Sequence, residues 1–407
     1  MVTLMGLLHF HLAGHQAIPL VGNATGMIGD PSGRSTERVA LGRDTLAKNV
    51  AAIEKQLKRF FERGTQYAAR RVVGLETEKL AKIEVARNAD WYRDMNILGF
   101  LGTVGRYTRV GAMVARDSVK SRLASAQGIS FTEFSYQLLQ AYDFWYLYHH
   151  RNCRVQIGGS DQWGNITAGT ELIHKMPRDD TDTGVVSGQA TSHEAFGLTI
   201  PLLATASGEK FGKSAGNAIW LDERKTSPFD VYQFFVKTSD ADVAKFLKMF
   251  TLLPLERIAQ VMEEHGRAPE KFAAQKLLAE EVTELIHGEA GVLQAKCATQ
   301  VLFGGRDQKI EQFSASEIAD AFANDRRMVD LPRADAVGKQ IAELAVLAGA
   351  CSSKSQATRL ARGGGLYWNN TAVPDGKWVP GSDQFIGEGT IGVLRTGKTS
   401  YFIIRLK

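Results

Sequence analysis

Apolar positions along this chain change period several times, and each change marks an element. After Met1, Leu4, Leu7, Leu8 and Leu12 recur at helical spacing, which predicts an amphipathic helix. Ile18-Pro19-Leu20-Val21-Gly22 is a short apolar run read as a buried strand. A turn-rich loop follows through Gly26, Gly29, Asp30, Pro31, Ser32 and Gly33. Residues 45–63, 119–122 and 131–149 return to helical spacing. Residues 154–157 read as a second strand, which Gly158-Gly159-Ser160-Asp161 turns into a helix over 166–176. Residues 177–194 are polar and read as a loop insertion. Leu198-Thr199-Ile200 is a third strand, and Ile219-Trp220-Leu221 is expected to form another. Strands alternating with helices predict an α/β fold with a parallel sheet and crossovers.

Beyond Asp222 the pattern becomes helical. Ser227-Pro228-Phe229-Asp230 places a capping serine before a proline at the first helical position and an acid at the third. Ser239 to Asp242 repeats the cap signal, and Pro269 opens a helix expected to stop at His287-Gly288. Residues 326–335 read as a charged, proline-containing linker. After it, a helix over 354–362 breaks at Gly363-Gly364-Gly365, and strand-like runs follow at 366–368, 387–394 and 401–406. The expected division is therefore 1–225 (parallel sheet), 226–325 (helical) and 336–407 (α+β).

Composition adds little until charge is located. The chain has 407 residues, 44% hydrophobic and 23% charged, the balance of a soluble globular protein with room for several domains. No window holds the ~18 apolar residues of a membrane helix. Residues 353–407 carry eight basic and three acidic side chains, an excess equal to the whole net charge of +5. That is the footprint of a nucleic-acid-binding end, or of a tail made basic for solubility. Cys153, Cys297 and Cys351 are far apart with no C-x-x-C, as in a reducing compartment without structural zinc. His11 and His15 stand four apart but lack the glutamate of a zinc helix, so a helix end is the better reading and no metal site is expected.

Four segments carry candidate chemistry, each with a plain structural reading beside it. Tyr136, Gln140 and Asp143 fall at i, i+4 and i+7, on one helix face. A phenol, a carboxamide and a carboxylate in a row suit a small polar ligand, or form a solvated face. Gln156-Ile157-Gly158-Gly159-Ser160-Asp161-Gln162-Trp163 sits at the carboxyl end of a strand, where open α/β sheets bind ligands. It is otherwise a tight turn. The loop from Thr25 to Arg38 offers Asp30 for an ammonium group and Arg34 and Arg38 for phosphate, or is a surface turn. It is neither a Walker loop nor a dinucleotide loop. Lys210-Phe211-Gly212-Lys213-Ser214 puts two cations on a glycine-hinged loop able to close over a polyphosphate, or is a surface lysine pair.

Taken together and in this order, these segments resemble tyrosyl-tRNA synthetases of the bacterial and mitochondrial type. The pattern GATGxIGDPSGxxxER is found as Asn23 to Arg38, with Asn for the first Gly. FTEFSYxxLQAYDF is found as Phe131 to Phe144, QIGGSDQWGNI as Gln156 to Ile166, and AQKxLAEEVTxLxHG as Ala274 to Gly288. The class I lysine signature is Lys210 to Ser214 in a Phe-Gly variant. Lys354 to Leu360 resembles the start of an S4-type RNA-binding domain. The resemblance covers nearly the whole chain and implies a Rossmann-like catalytic domain, a helical anticodon-binding domain and an S4-like end.

It also implies roles. Tyr136, Gln140 and Asp30 would hold the ammonium group of tyrosine, Gln162 its carboxylate, and Asp143 its phenol hydroxyl. Asp161 would bind the ATP ribose, with Gly159 beneath the nucleoside and Thr3 and Lys213 also at ATP. Lys210, Lys213, Arg34 and Arg38 would stabilise the pyrophosphate leaving group, with Arg34 standing where the family has lysine. Lys354, Arg359 and Arg362 would meet RNA. Implied partners are L-tyrosine, ATP with Mg2+ as substrate rather than a tightly bound cofactor, tRNA(Tyr) and a second subunit, with no membrane. The family's His-x-Gly-His signature and the strand before it are expected immediately ahead of Met1 and are absent from this sequence. A tyrosine–tRNA ligase is the leading expectation. A non-catalytic RNA-binding or intron-splicing protein is the alternative, and a tryptophan-specific enzyme is disfavoured by Asp143 and the S4-like end. The basic balance, the insertion and the S4-like end point to the mitochondrial matrix, with bacterial cytoplasm as the other reading.

Overall fold

The computed structural model describes residues 1–32, 36, 41–176, 194–206, 219–303, 313–323, 325, 327–397 and 400–407. The chain forms two compact units, Met1–Asn217 and Ala218–Lys407.

In the first unit, α1 (Val2–Leu12) buries Met5 and Leu8 and leads to β1 (Leu20–Val21). The long α2 (Arg43–Ala69) buries Phe60, Phe61 and Tyr67. His11 packs edge-on against Phe61 and lies 3.4 Å from Thr65 Oγ1, so the histidine belongs to the contact of α1 with α2. β2 (Ala86–Arg87) pairs parallel with β1, Leu20 opposite Ala86. Short helices follow: α3 (Ala89–Tyr92), α4 (Ile97–Phe100), a π-helical turn (Leu101–Gly105), α5 (Val110–Val114) and α6 (Asp117–Leu123). Then come α7 (Phe131–Arg151), β3 (Val155–Gly159), α8 (Trp163–Lys175) and β4 (Phe196–Ile200). β3 and β4 are parallel, Val155 opposite Phe196 through Gly159 opposite Ile200. Among the described residues the parallel strands thus form two separate pairs rather than one sheet.

The core of this unit gathers on α7 and α8. Leu138, Tyr142, Phe144 and Trp145 pack with Leu172, Ile173 and Met176, and with Phe100 and Val104 from the short helices. Each large apolar side chain buried there contributes about 1.5–3 kcal/mol. The Trp145 indole N–H donates to Met176 O at 2.8 Å, so this ring is buried without an orphaned donor.

The second unit opens with α9 (Pro228–Val236), whose cap is as expected: Ser227 Oγ accepts from Asp230 N at 3.1 Å. α10 (Asp240–Phe250), α11 (Leu255–Arg267) and α12 (Ala273–Phe303) follow. The stop expected at His287-Gly288 is only a break. Gly288 adopts φ 75°, open to a residue without Cβ, and the helix resumes beyond it. α13 (Ala315–Ala321) begins with a capping box between Ser314 and Glu317. The expected linker instead holds β5 (Met328–Leu331) and α14 (Arg333–Ala336). After α15 (Ile341–Leu347) and α16 (Lys354–Arg362) come β6 (Leu366–Trp368), β7 (Thr371–Ala372), α17 (Ile386–Gly389), β8 (Ile391–Thr396) and β9 (Ser400–Leu406). Among the described residues they form a five-stranded sheet in the order β5-β9-β8-β6-β7, with β5 parallel to β9 and the other pairs antiparallel. One core joins this sheet to the helices: Ile391, Val393 and Ile403 pack with Phe229, Val301, Leu302 and Phe322. The strand expected at Ile219-Trp220-Leu221 does not form. The Trp220 N–H donates to Thr226 Oγ1 and its ring lies under the Lys225 ammonium, so the backbone turns into α9 without a ladder partner.

Candidate active site

α7 is set by its ends. Ser130 Oγ accepts from Glu133 N at 3.2 Å, and Asn152 closes the helix in the left-handed region at φ 50°. Glu133 also takes two hydrogen bonds from Arg122, at 3.2 and 2.7 Å, with both side chains almost fully buried. This pair ties α6 to the first turn of α7 and fixes the helix from which Tyr136, Gln140 and Asp143 project.

The three residues share a face, as their spacing predicts, but not an environment. Tyr136 and Gln140 are half-buried, whereas Asp143 is 2% exposed. The Asp143 carboxylate accepts from Asn88 Nδ2 at 3.1 Å and from Trp91 Nε1 at 2.8 Å. Burial pushes its pKa up from 3.8 to about 6, against the pull of those donors. Asn88 is fully buried and connects further: its Oδ1 accepts from Ala24 N at 2.8 Å, and its Nδ2 also reaches Thr25 Oγ1 at 2.9 Å. Trp91 is held flat by stacking on Tyr146, 4.6 Å between centroids. Sequence reasoning named neither Asn88 nor Trp91.

A second polar network joins the glycine loop after β1 to the turn after β3. Asp30 Oδ1 accepts from Ser32 N at 2.9 Å, and Asp30 Oδ2 accepts from Gln162 Nε2 at 2.8 Å. The buried Asn165, in the first turn of α8, lies 3.3–3.4 Å from Asp30 Oδ1, Ser32 Oγ and Gln162 Oε1. Asn165 too was missed. Asp161 is exposed in the turn Ser160–Gln162, and Gly159 ends β3. A Cβ on Gly159 would stand 2.5 Å from Asp161 Oδ1, a contact the exposed aspartate side chain relieves by turning away.

A cleft of about 830 Å³ lies between the two strand pairs, lined by Thr3, Leu20, Gln140, Val155, Gly158 and Gln162 among others. It brings Thr3, Gln140 and Gln162 together. Asp30 joins them through Gln162, and Asp143 stands one helical turn beyond Gln140. Arg34, Arg38, Lys210 and Lys213 lie outside the described residues. In the second unit, Lys354 sits in the first turn of α16 and pairs with Glu343, while Arg359 and Arg362 are exposed in its last turn.

The cleft follows the parallel strand β3 from Val155 to Gly158 and reaches the turn at its carboxyl end, where Gln140 and Gln162 line it and where open α/β folds bind ligands. The family model of class I tRNA synthetases (W and Y) matches residues 1–304, and the chain belongs to that family. On the tyrosine side of it stand a mitochondrial tyrosine–tRNA ligase of Drosophila melanogaster, 44% identical over the whole chain and 83% of the relative, and a tyrosine–tRNA ligase of Roseiflexus castenholzii, 42% identical over the whole chain and 89% of the relative. A C-terminally truncated Aspergillus nidulans mitochondrial tyrosyl-tRNA synthetase superposes with a TM-score of 0.65 at 34% identity, covering 74% of this chain and 81% of that one. These similarities speak for a ligase and give no support to a splicing role.

Proposed function

We infer that the chain is a tyrosine–tRNA ligase, which activates L-tyrosine with ATP and transfers it to tRNA(Tyr). The observation that carries the tyrosine assignment is the desolvated Asp143 carboxylate with its fixed donors. An acceptor so placed gains from a substrate hydroxyl and is left under-satisfied by phenylalanine, a penalty far larger than that of a missing methylene. Asp30, Tyr136 and Gln140 receive the ammonium group and Gln162 the carboxylate. The hydrogen bond from the Gln162 amide to Asp30 supports setting those two subsites side by side.

ATP lies with its ribose on Asp161, its nucleoside over Gly159, and Thr3 and Lys213 nearby. The tyrosine carboxylate attacks the α-phosphorus in line, one P–O bond forms, and pyrophosphate leaves with the electron pair of the bond that breaks. Such a step needs positioning and charge stabilisation more than proton transfer. Lys210, Lys213, Arg34 and Arg38 supply positive charge to the leaving group, and Mg2+ enters with ATP as part of the substrate. Arg359 and Arg362, with Lys354 beside them, offer the exposed cations for tRNA.

Ile97, Leu98, Leu101 and Val110 are large apolar side chains left exposed over a short stretch, which suits burial against a second copy of the chain. The mitochondrial names among the relatives favour the matrix as its location. Tyrosine-dependent ATP–pyrophosphate exchange tests the activity. Exchange with tyrosine but neither tryptophan nor phenylalanine, reduced at least ~100-fold in the Lys210→Ala/Lys213→Ala double variant, is the expected result. Exchange driven by tryptophan would overturn the assignment.

A further inference from the structure

Building on the ligase reading above, we propose that the basic outer face of α2 is a docking surface for the phosphate backbone of tRNA, along the arm that delivers the 3′ end to the cleft.

Residues 43–71, which are α2 and the two arginines after it, hold eight basic and three acidic side chains, an excess equal to the net charge of the whole chain. The charge is sorted by face. Lys48, Lys55, Arg59, Arg63 and Arg70 are spaced 7, 4, 4 and 7 residues apart, close to whole helical turns, so they form one stripe. At 1.5 Å per residue it runs about 33 Å. It lies on the side away from Phe60, Phe61 and Tyr67, which α2 buries. Lys48, Lys55 and Arg70 are exposed, and Arg59 and Arg63 are half-buried. No acid of α2 shares the stripe. Asp44 and Glu62 stand to one side of it, and Glu54 is buried and held by Arg87 of β2.

A solvated helix face ordinarily mixes signs. Like charges four apart, as Lys55, Arg59 and Arg63 are, weaken a helix, so the stripe lowers the stability of α2 rather than adding to it. An anionic membrane surface would call for apolar side chains beside the cations, and Ile53 is the one large apolar side chain that α2 exposes. Between its cations the stripe carries Ala52 and Gln66 instead. RNA fits this face, because phosphates ask only for spaced cations. Position favours it as well. Leu57, on the inner side of α2, lines the cleft, and the tRNA end that takes tyrosine has to enter that cleft. A helix with its side chains is about 10–12 Å across, so the stripe stands about one helix width from the cleft lining.

Lys48→Gln/Lys55→Gln in the full chain removes two exposed cations with little change in helix propensity. Binding of tRNA(Tyr), followed by filter retention between about 50 and 200 mM salt, should weaken, and the slope of log K against log salt should fall by about 1.5. The affinity gap between parent and variant then shrinks ~8-fold over that range. A hairpin of the acceptor arm should lose affinity, and a hairpin of the anticodon arm should not. The urea midpoint should hold or rise, which separates lost docking from lost fold. An unchanged slope overturns the proposal. So does an effect confined to the anticodon hairpin, or one seen only in binding to mixed phosphatidylcholine–phosphatidylserine vesicles. If the parent chain shows no exchange with tyrosine, the ligase reading fails, and the salt slope still decides whether α2 holds RNA.

Discussion

Replacing Asp143 with asparagine should make the protein's stability less dependent on pH. In the folded chain the Asp143 carboxyl titrates near 6, against an ordinary 3.8. The folded state therefore holds its proton more tightly than the unfolded chain does. Stability from this group is greatest below the unfolded value and is lost as pH rises towards the folded one. A gap of about 2 pH units corresponds to about 3 kcal/mol in full, of which about 2 kcal/mol falls between pH ~4.5 and ~7.5. Asparagine does not titrate, so the difference between variant and parent should grow in the variant's favour by that amount across the window. The offset of the whole curve is a separate matter. The new amide must present a donor to Asn88 or Trp91, both already donors, at about 1–3 kcal/mol. Urea unfolding of both proteins at several pH values, followed by tryptophan fluorescence, gives the difference curve. A curve flat to within ~0.5 kcal/mol would show that burial does not raise this carboxyl, and the account of phenol recognition would lose its basis.

Other consequences follow from single contacts. Arg122→Met strands Glu133 in the core and should cost about 3–5 kcal/mol in chemical unfolding, while Arg122→Met/Glu133→Leu should recover most of it. Leu98→Glu, placing a charge in the exposed apolar stretch, should shift sedimentation towards the monomer and leave the unfolding midpoint of the isolated chain unchanged. Arg359→Gln/Arg362→Gln should weaken tRNA binding roughly equally for any tRNA sequence. It should also lower the slope of log K against log salt by about 1.5–2, since the two side chains are exposed and unable to read bases by position alone.

The row Tyr136, Gln140, Asp143 was legible because one helix carries it. Its period, its Ser130 cap and its length are all local, so spacing alone puts the residues on one face. The β3 turn was legible for the same reason, since Gly158-Gly159-Ser160-Asp161 encodes its own geometry. The partners of Asp143 were not. Asn88 and Trp91 lie 55 and 52 residues away, around a four-residue helix too short to show a period. β2 has two residues, and β5 hid inside a charged segment whose partner, β9, lies more than 60 residues downstream. Met328–Leu331 becomes a strand because the β9 edge is available and because Asp330 meets Arg405 and Lys407 across the ladder. No local pattern contains that information. Residues 219–221 show the converse: an apolar run with no edge to join remains irregular.

The roles proposed for Asp30 and Asp143 differ, and so do their environments. Asp30 is half-buried and meets the Ser32 amide and the Gln162 carboxamide. Asp143 is stripped of water, which raises its basicity against the pull of its neutral donors and suits it to a neutral O–H. On the proposed roles, aspartates 113 positions apart would sort the two ends of one amino acid by solvation rather than by residue type. Asp30→Asn should therefore raise KM for tyrosine at all pH values, because the ammonium stays charged throughout the range. Asp143→Asn should chiefly erase the preference for tyrosine over phenylalanine. A variant pair in which both substitutions act alike, on affinity and on discrimination together, would mean that the carboxylates work as one site and that their different burial has no functional consequence.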